Sequence, residues 1–174
     1  MGLRRNVTDR SGGSARGGYP GRMAYITTEA RQQLLDDLAA AIDRFGVALA
    51  ALGEAYEQLD EQAADRLETE LFQPVQLAYG RSRRTYTEFA ARHDLPPRTF
   101  SPAAAPTLAH DVRDVVDGAL IALGEAEQGL VELQDSMMPV EVGDAELRAG
   151  LAEVRALVAD LPSRARELQR VIGR

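Results

Sequence analysis

The sequence predicts an all-α protein: an antiparallel up-down-up-down four-helix bundle made of two helical hairpins, preceded by a disordered N-terminal tail. Apolar residues recur every three or four positions over four long stretches, the spacing that places them on one face of a helix. In addition, the segment ALAALGEA at residues 48–55 returns as ALIALGEA at residues 119–126, with Ala50 replaced by Ile121. Because each copy lies within a long periodic stretch, we interpret the chain as one hairpin followed by another.

The composition fits a folded domain without cross-links. A chain of 174 residues buries about 70% of its unfolded surface and needs neither disulfides nor a metal for stability. It contains no cysteine, which suits the reducing cytoplasm. All 20 basic residues are arginine, a bias typical of a high-GC bacterial genome. No apolar run approaches the roughly 20 residues of a membrane-spanning helix, so no membrane association is expected.

Residues 1–24 differ from the rest of the chain in charge and composition. They carry five arginines and one aspartate. Because the whole chain has a net charge of −7, the remaining residues carry a net charge of −11. With few apolar residues they cannot offset the entropy lost on ordering, and we predict a disordered tail. Nucleic acid is bound mainly by neutralising phosphates, so binding is expected only through this tail. The tail is either a basic arm that binds nucleic acid or an acidic partner, or it is an unselected extension that precedes a natural start at Met23.

The first helix is predicted over residues 27–59. Thr27 or Thr28 can cap its first backbone N–H groups. Its apolar residues step by three and four without interruption, as in helices that pack nearly parallel to a neighbour. They are Leu35, Leu38, Ile42, Phe45, Leu49, Leu52, Tyr56 and Leu59.

The second helix is predicted over residues 61–93, with Asp60 as its cap. Its earlier apolar residues, Leu67 and Leu71, are offset by one place from the later ones. Pro74 lies at this offset, where it removes a backbone hydrogen bond and its ring clashes with the preceding turn. We therefore predict a kink there.

Four of the eight prolines fall in residues 94–106, which predicts an extended crossover between the hairpins. The third helix is expected over residues 106–138 and the fourth over residues 144–173, with a bend at Pro162. Four helices of about 45 to 50 Å match the up-down-up-down topology. Aspartates at the starts of the first and third helices would then face arginines at the ends of the second and fourth.

His110 is the candidate phospho-acceptor. Residues 109–113 read Ala-His-Asp-Val-Arg and resemble, over five residues, the phospho-accepting histidine box of sensor kinases, where an acid, an apolar residue and arginine follow the histidine. The resemblance implies phosphotransfer through His110. Val115 stands in place of the proline of that box, and the chain contains no recognisable ATP-binding region. The alternative is a solvated or capping histidine.

Other groups of charged residues were considered as metal-binding or ion-binding sites. A di-metal carboxylate bundle needs Glu-x-x-His pairs, but Ala90 precedes His93 by three residues and Thr107 precedes His110, so we predict no metal site and no cofactor. An anion patch is predicted at Arg81, Arg83 and Arg84, unless acids of the first and third helices neutralise it. An acidic surface for a basic partner or a cation is predicted at the opposite end, and solubility alone also explains it. Its candidate residues are Glu54, Glu57, Glu125 and Glu132.

Gly53 and Gly124 occupy equivalent positions of the repeat, in the interior of the first and third helices. Glycine there is disfavoured by about 1 kcal/mol relative to alanine. Close approach of a neighbouring helix or of a ligand would explain both glycines, and flexibility inherited by duplication is the alternative.

Three functions remain open. The first is a non-enzymatic protein-interaction or structural module in the bacterial cytoplasm, with a protein partner or self-association. The second is a regulatory or sensory bundle that binds a small ligand or an anion in room made by Gly53, Gly124, Pro74 and Pro162. The third is phosphotransfer through His110. An apolar pocket with convergent polar groups would favour the second, and continuous packing would favour the first.

Overall fold

The computed structural model describes residues 20–101, 103 and 111–172. Over these ranges the predicted all-α class is confirmed, with no strand in them. The elements are α1 (Pro20–Gln58), α2 (Glu61–Leu67), a π-helical segment (Glu68–Phe72), α3 (Gln73–Arg92), α4 (Val112–Asp135), α5 (Met138–Glu141), α6 (Ala145–Val158) and α7 (Leu161–Ile172). Most of the predicted tail, residues 1–19, and His110 lie outside the described residues. No helix in the described ranges has the length and apolar content to cross a bilayer.

Helix α1 is buried on two sides. The predicted apolar residues Leu35, Leu38, Ile42, Phe45 and Leu52 are fully buried, whereas Tyr56 is 38% exposed. A row of alanines beside them is buried as well, because α1 packs against both α3 and α4. These are Ala41, Ala48, Ala51 and Ala55. The helix begins at Pro20, before the predicted start near residue 27.

The second predicted helix is one continuous path of α2, the π-helical segment and α3. Asp60 caps it as predicted, accepting a hydrogen bond from the backbone N–H of Ala63 at 3.0 Å. The π-helical segment lies at the predicted offset, immediately before Gln73 and Pro74. Within it the backbone N–H of Gln73 reaches the carbonyl of Glu68, five residues back. A wider turn at this point accommodates the proline without breaking the helix.

The second half of the chain contains shorter helices than predicted. Helix α4 begins at Val112 after Asp111, whose side chain accepts from the backbone N–H of Arg113 at 3.2 Å. It ends at Asp135, before the predicted end at residue 138, and the separate helix α5 begins at Met138 and includes Pro139, where the predicted helix stops. The fourth predicted helix is interrupted before Pro162, which gives α6 and α7.

Direct contacts fix the helix directions. Arg44 of α1 pairs with Glu125 of α4 at 3.1 Å. A Cβ atom on Gly129 would lie 3.9 Å from the Cβ of Ala41. Moving back along α1 therefore means moving forward along α4, and these two helices are antiparallel. Helices α3 and α6 are antiparallel too, because Arg81 contacts Glu153 and Arg92 contacts Asp144.

The predicted up-down-up-down order is therefore wrong. It requires the first and third helices to run in the same direction, whereas α1 and α4 run in opposite directions. The turn residue Asp60, the first residue of α4 (Val112) and the last of α7 (Ile172) line one surface cleft. The order is thus up, down, down, up. A connection as long as residues 93–111 reaches about 60 Å when extended, enough to return along the whole bundle.

The two copies of the repeat lie against each other. The pairing of residue 44 with 125 and of residue 41 with 129 continues along the helices and brings Leu49 opposite Leu120. These two leucines are equivalent residues of the repeat. An approximate two-fold axis therefore passes between α1 and α4, so that features of the first hairpin have counterparts in the second.

Candidate functional site

Two surface clefts lie at the repeated glycines. The first, of about 350 Å³, lies between α1 and the π-helical segment. Its lining residues are Gly53, Tyr56, Glu57, Glu68 and Phe72. The second, of about 120 Å³, lies between α4 and the interruption that separates α6 from α7. Its lining residues are Leu120, Leu123, Gly124, Glu127, Val158, Leu161 and Pro162. Each glycine thus faces an irregular point in the neighbouring helix.

The space around each glycine explains why the clefts stay open. A Cβ atom at Gly53 would make an ordinary contact of 4.0 Å with Cε2 of Phe72, and one at Gly124 would meet nothing within 4 Å. No neighbouring helix therefore comes unusually close to either glycine, so close helix approach does not explain why glycine occurs at these positions. Pro162 lines the second cleft, whereas the first is lined by Phe72, which precedes Pro74 by two residues.

The first cleft, which we call the aromatic–acidic cleft, combines two rings with two carboxylates. Tyr56 is 38% exposed, and Phe72 packs partly against the core. Neither Glu57 nor Glu68 has an arginine partner in the described part of the chain, since the nearby Arg66 pairs with Glu70 at 3.1 Å. Glu68 accepts a hydrogen bond of 3.3 Å from Gln73. The second cleft is apolar except for Glu127.

The predicted arginine patch is largely neutralised. Nε of Arg81 lies 2.6 Å from Oε2 of Glu153 on α6. Arg84 donates to Glu88 at 2.7 Å, and this hydrogen bond raises the pKa of Arg84 and lowers that of Glu88. The guanidinium of Arg83 lies over the ring of Tyr79, 5.2 Å from its centroid. Neutralising acids were expected from the first and third helices, but the partners are Glu153 of α6 and Glu88 of α3 itself.

The predicted acidic residues do not form one surface. Glu57 lies in the aromatic–acidic cleft, and Oε2 of Glu54 is buried without a hydrogen-bond partner in the described residues. Glu125 pairs with Arg44, and Glu132 accepts from Gln128 at 2.8 Å. Because α1 and α4 are antiparallel, Glu54 and Glu132 lie roughly 25 Å apart along the bundle. The expected acidic end depended on the wrong helix order.

A charged cluster at the opposite end from the α1–α2 turn was not predicted. Asp144 is the cap of α6, and its Oδ1 accepts from the backbone N–H of Leu147 at 2.8 Å. Arg92 donates two hydrogen bonds to its carboxylate, of 3.0 and 2.9 Å. Nε2 of His93 lies 2.9 Å from Oδ2. Arg92 also pairs with Glu146 at 2.8 Å.

The cluster joins the end of α3 to the start of α6. Burial by itself raises the pKa of Asp144, but the hydrogen bonds from Arg92, Leu147 and His93 outweigh it and lower the pKa to about 2. The same bond to Asp144 raises the pKa of Arg92. The sequence places Asp144 only at the start of the fourth predicted helix, because its partners lie about 50 residues earlier. We interpret this cluster as a link between helices, with its polar atoms engaged by each other.

Together these features define an all-helical protein with open clefts on its surface and charged pairs between its helices. Among the described residues no three His, Cys, Asp or Glu side chains are grouped as metal ligands would be. His110 lies outside the described ranges, and phosphotransfer through it stays a prediction. Comparison with protein-family models, curated proteins and solved structures finds no match.

Proposed function

We propose that this protein is a non-enzymatic protein-interaction or structural module of the bacterial cytoplasm, built as a four-helix bundle of two antiparallel hairpins. The continuous core supports this proposal, because apolar side chains are buried along the length of all four helical paths. The absence of cysteine suits a reducing compartment. Its partner is another protein or a second copy of the chain.

A pair of exposed apolar side chains carries the proposal. Ile121 is 64% exposed and Val47 is 37% exposed. They lie one helical turn from Glu125 and Arg44, respectively, and on the same side of that ion pair. Ile121 is also the one residue in which the second copy of the repeat differs from the first, where alanine stands. Ile121 is a large apolar residue on the outer face that α1 and α4 share, and such a residue suits contact with a partner.

Site-specific photo-crosslinking tests this function. A photo-reactive residue is placed at position 121 or at position 77, and the protein is expressed in its own host and analysed by mass spectrometry. Leu77 is the matched control, because it is 62% exposed and lies on α3. An adduct of one defined mass from position 121 only supports the proposal. Equal adducts from both positions, or none from position 121, contradict it.

A second candidate function is supported by the two clefts. They lie where the repeated glycines face the helix irregularities, the places at which a ligand-binding bundle would need room. The aromatic–acidic cleft is the better candidate, since about 350 Å³ falls at the lower end of the range for small-molecule sites. In this function the protein is a regulatory or sensory bundle.

A further inference from the structure

We propose that the aromatic–acidic cleft binds a small organic cation, an alkylated ammonium group held between Tyr56 and Phe72 and neutralised by Glu57 and Glu68. The proposal deepens the second candidate function and is independent of the interaction function. It starts from the lining of the cleft, which places two ring-bearing residues and two carboxylates around one opening.

The charge of the cleft selects a cation. Glu57 and Glu68 both line it, and neither has an arginine within 4.0 Å in the described part of the chain, whereas Arg66 is engaged by Glu70. The sequence contains no lysine. Glu57 is exposed and Glu68 is half-buried. A bound cation restores the missing charge balance, and an anion would be repelled by both groups.

The rings select the type of cation. Aromatic faces attract ammonium groups through the quadrupole of the ring and prefer large, weakly hydrated cations. Calcium and magnesium require about six or more oxygen ligands, and this cleft offers two carboxylates. Sodium and potassium would have to exchange water for ring carbon. An alkylated ammonium instead gains contact with Tyr56 and Phe72 through its methyl or ethyl groups.

The backbone gives the cleft its depth. Gly53 leaves the floor free of a side chain, and a Cβ there would face Phe72 at 4.0 Å. Phe72 is the last residue of the π-helical segment, and such segments are frequent at functional sites. The equivalent cleft at Gly124 has leucines and a valine in place of the rings and only Glu127 as an acid. It serves as an internal control.

Titration with tetraethylammonium chloride, followed by NMR on the full chain at low ionic strength, tests the proposal. We expect saturable shifts for Gly53, Tyr56 and Phe72 at millimolar concentrations, and none for Gly124. Neopentyl alcohol, a smaller neutral molecule with a quaternary carbon centre, and sodium chloride are the reference ligands. Weaker binding at higher salt is expected, since the carboxylates are exposed to solvent.

Substitutions separate the two contributions. Glu57→Gln and Glu68→Gln should each weaken binding by about threefold or more, and Tyr56→Leu by about two- to thirtyfold. Glu127→Gln is the matched control and should leave binding unchanged. The NMR spectrum of each variant shows whether it folds.

Three results would overturn the site: no saturation, equal binding of the alcohol, or unchanged binding by folded Glu57→Gln and Tyr56→Leu. Such a result leaves the photo-crosslinking outcome at position 121 unaffected, so that failure of the cation site and failure of the interaction function can be told apart.

Discussion

At the scale of single residues, the tightest surroundings of a glycine in the described part of the chain belong to Gly150, which lies outside the repeat. A Cβ atom on Gly150 of α6 would overlap Oγ1 of Thr85 and lie 2.7 Å from its Cγ2 and 3.1 Å from its Cβ. Thr85 is buried, and its hydroxyl donates to the carbonyl of Arg81 at 3.0 Å. The threonine therefore has little freedom to move away.

We predict that Gly150→Ala destabilises the protein by about 1 kcal/mol. Overpacking costs about 1 to 3 kcal/mol, which exceeds the roughly 1 kcal/mol gained by alanine in a helix. Gly124→Ala is the matched control, and it should be neutral or stabilising because nothing lies within 4 Å. Urea denaturation of both variants measures the difference. Equal stabilisation by both substitutions, or failure of Thr85→Ala to relieve Gly150→Ala, would show that this contact is loose.

The second prediction at this scale concerns Asp144. Its pKa is about 2 in the folded protein, against an ordinary value of 3.8. Between these values the unfolded chain binds more protons, so stability is present above pH 4 and is lost as the pH falls towards 2. This carboxylate should contribute about 2 kcal/mol at neutral pH. Asp144→Asn removes the contribution and should flatten that part of the pH profile.

Urea denaturation between pH 2 and 6 gives the unfolding free energies of the wild type and of Asp144→Asn. Asp60→Asn is the control, since Asp60 also caps a helix but pairs with no arginine or histidine in the described residues. The wild type and Asp144→Asn should converge as the pH approaches 2. A constant difference across the range would mean that the charge of Asp144 is not what stabilises the junction.

At the scale of elements, the second helical path shows how a proline is accommodated. Pro74 follows the π-helical segment, where a wider turn removes the clash of its ring with the preceding carbonyl. We predict that Pro74→Ala stabilises the protein by up to about 3 kcal/mol, because alanine restores a hydrogen-bond donor in the middle of a helix. The expected effect of Pro162→Ala is small, since Pro162 is the second residue of α7 and proline is tolerated there.

Thermal denaturation of the two proline variants measures this difference. If Pro162→Ala stabilises as much as Pro74→Ala, the position in the helix is not what matters. Tetraethylammonium titration of Pro74→Ala adds a second measurement, because a regular turn would move Phe72 and narrow the aromatic–acidic cleft.

The elements also show what sequence reasoning can reach. The helix cap at Asp60 follows from local backbone chemistry and is present. A kink is predicted at Pro74 and a bend at Pro162, whereas the structure has a π-helical segment before Gln73 and a break between α6 and α7. The residues of the aromatic–acidic cleft belong to two helices, and only Gly53 and Glu57 among them were singled out. Spacing along one helix does not reveal which residue of the neighbour lies opposite, so the periodicity alone places Tyr56 in the core.

At the scale of the whole molecule, the helix order escaped prediction for a physical reason. Antiparallel packing buries the same apolar faces whether the third helix follows up-down-up-down or up-down-down-up order. Charge does not distinguish the two helix orders, because exposed ion pairs contribute little to stability. The decision lies in the crossover over residues 93–111, which is long enough to reach either end of the bundle. Because the helix order differs from the predicted one, the acidic residues expected at one end of the bundle do not lie together.

An introduced disulfide tests this order directly. The chain has no cysteine of its own, so one added pair reports on one distance. Cβ atoms at positions 41 and 129 would lie 3.9 Å apart, within the range of about 3.5 to 4.5 Å that a disulfide spans. Ala41→Cys with Gly129→Cys should therefore close rapidly under mild oxidation, with the product seen by mass spectrometry.

The control pair is chosen for the opposite topology. With parallel first and third helices, Ala41 would lie near residue 114, which is close to its equivalent in the repeat. In the up-down-down-up order position 114 is roughly 22 Å further along the bundle. Ala41→Cys with Asp114→Cys should accordingly stay reduced, because a disulfide cannot bridge Cα atoms more than about 7 Å apart. Closure of this pair, with the pair at 41 and 129 remaining open, would reverse the helix order.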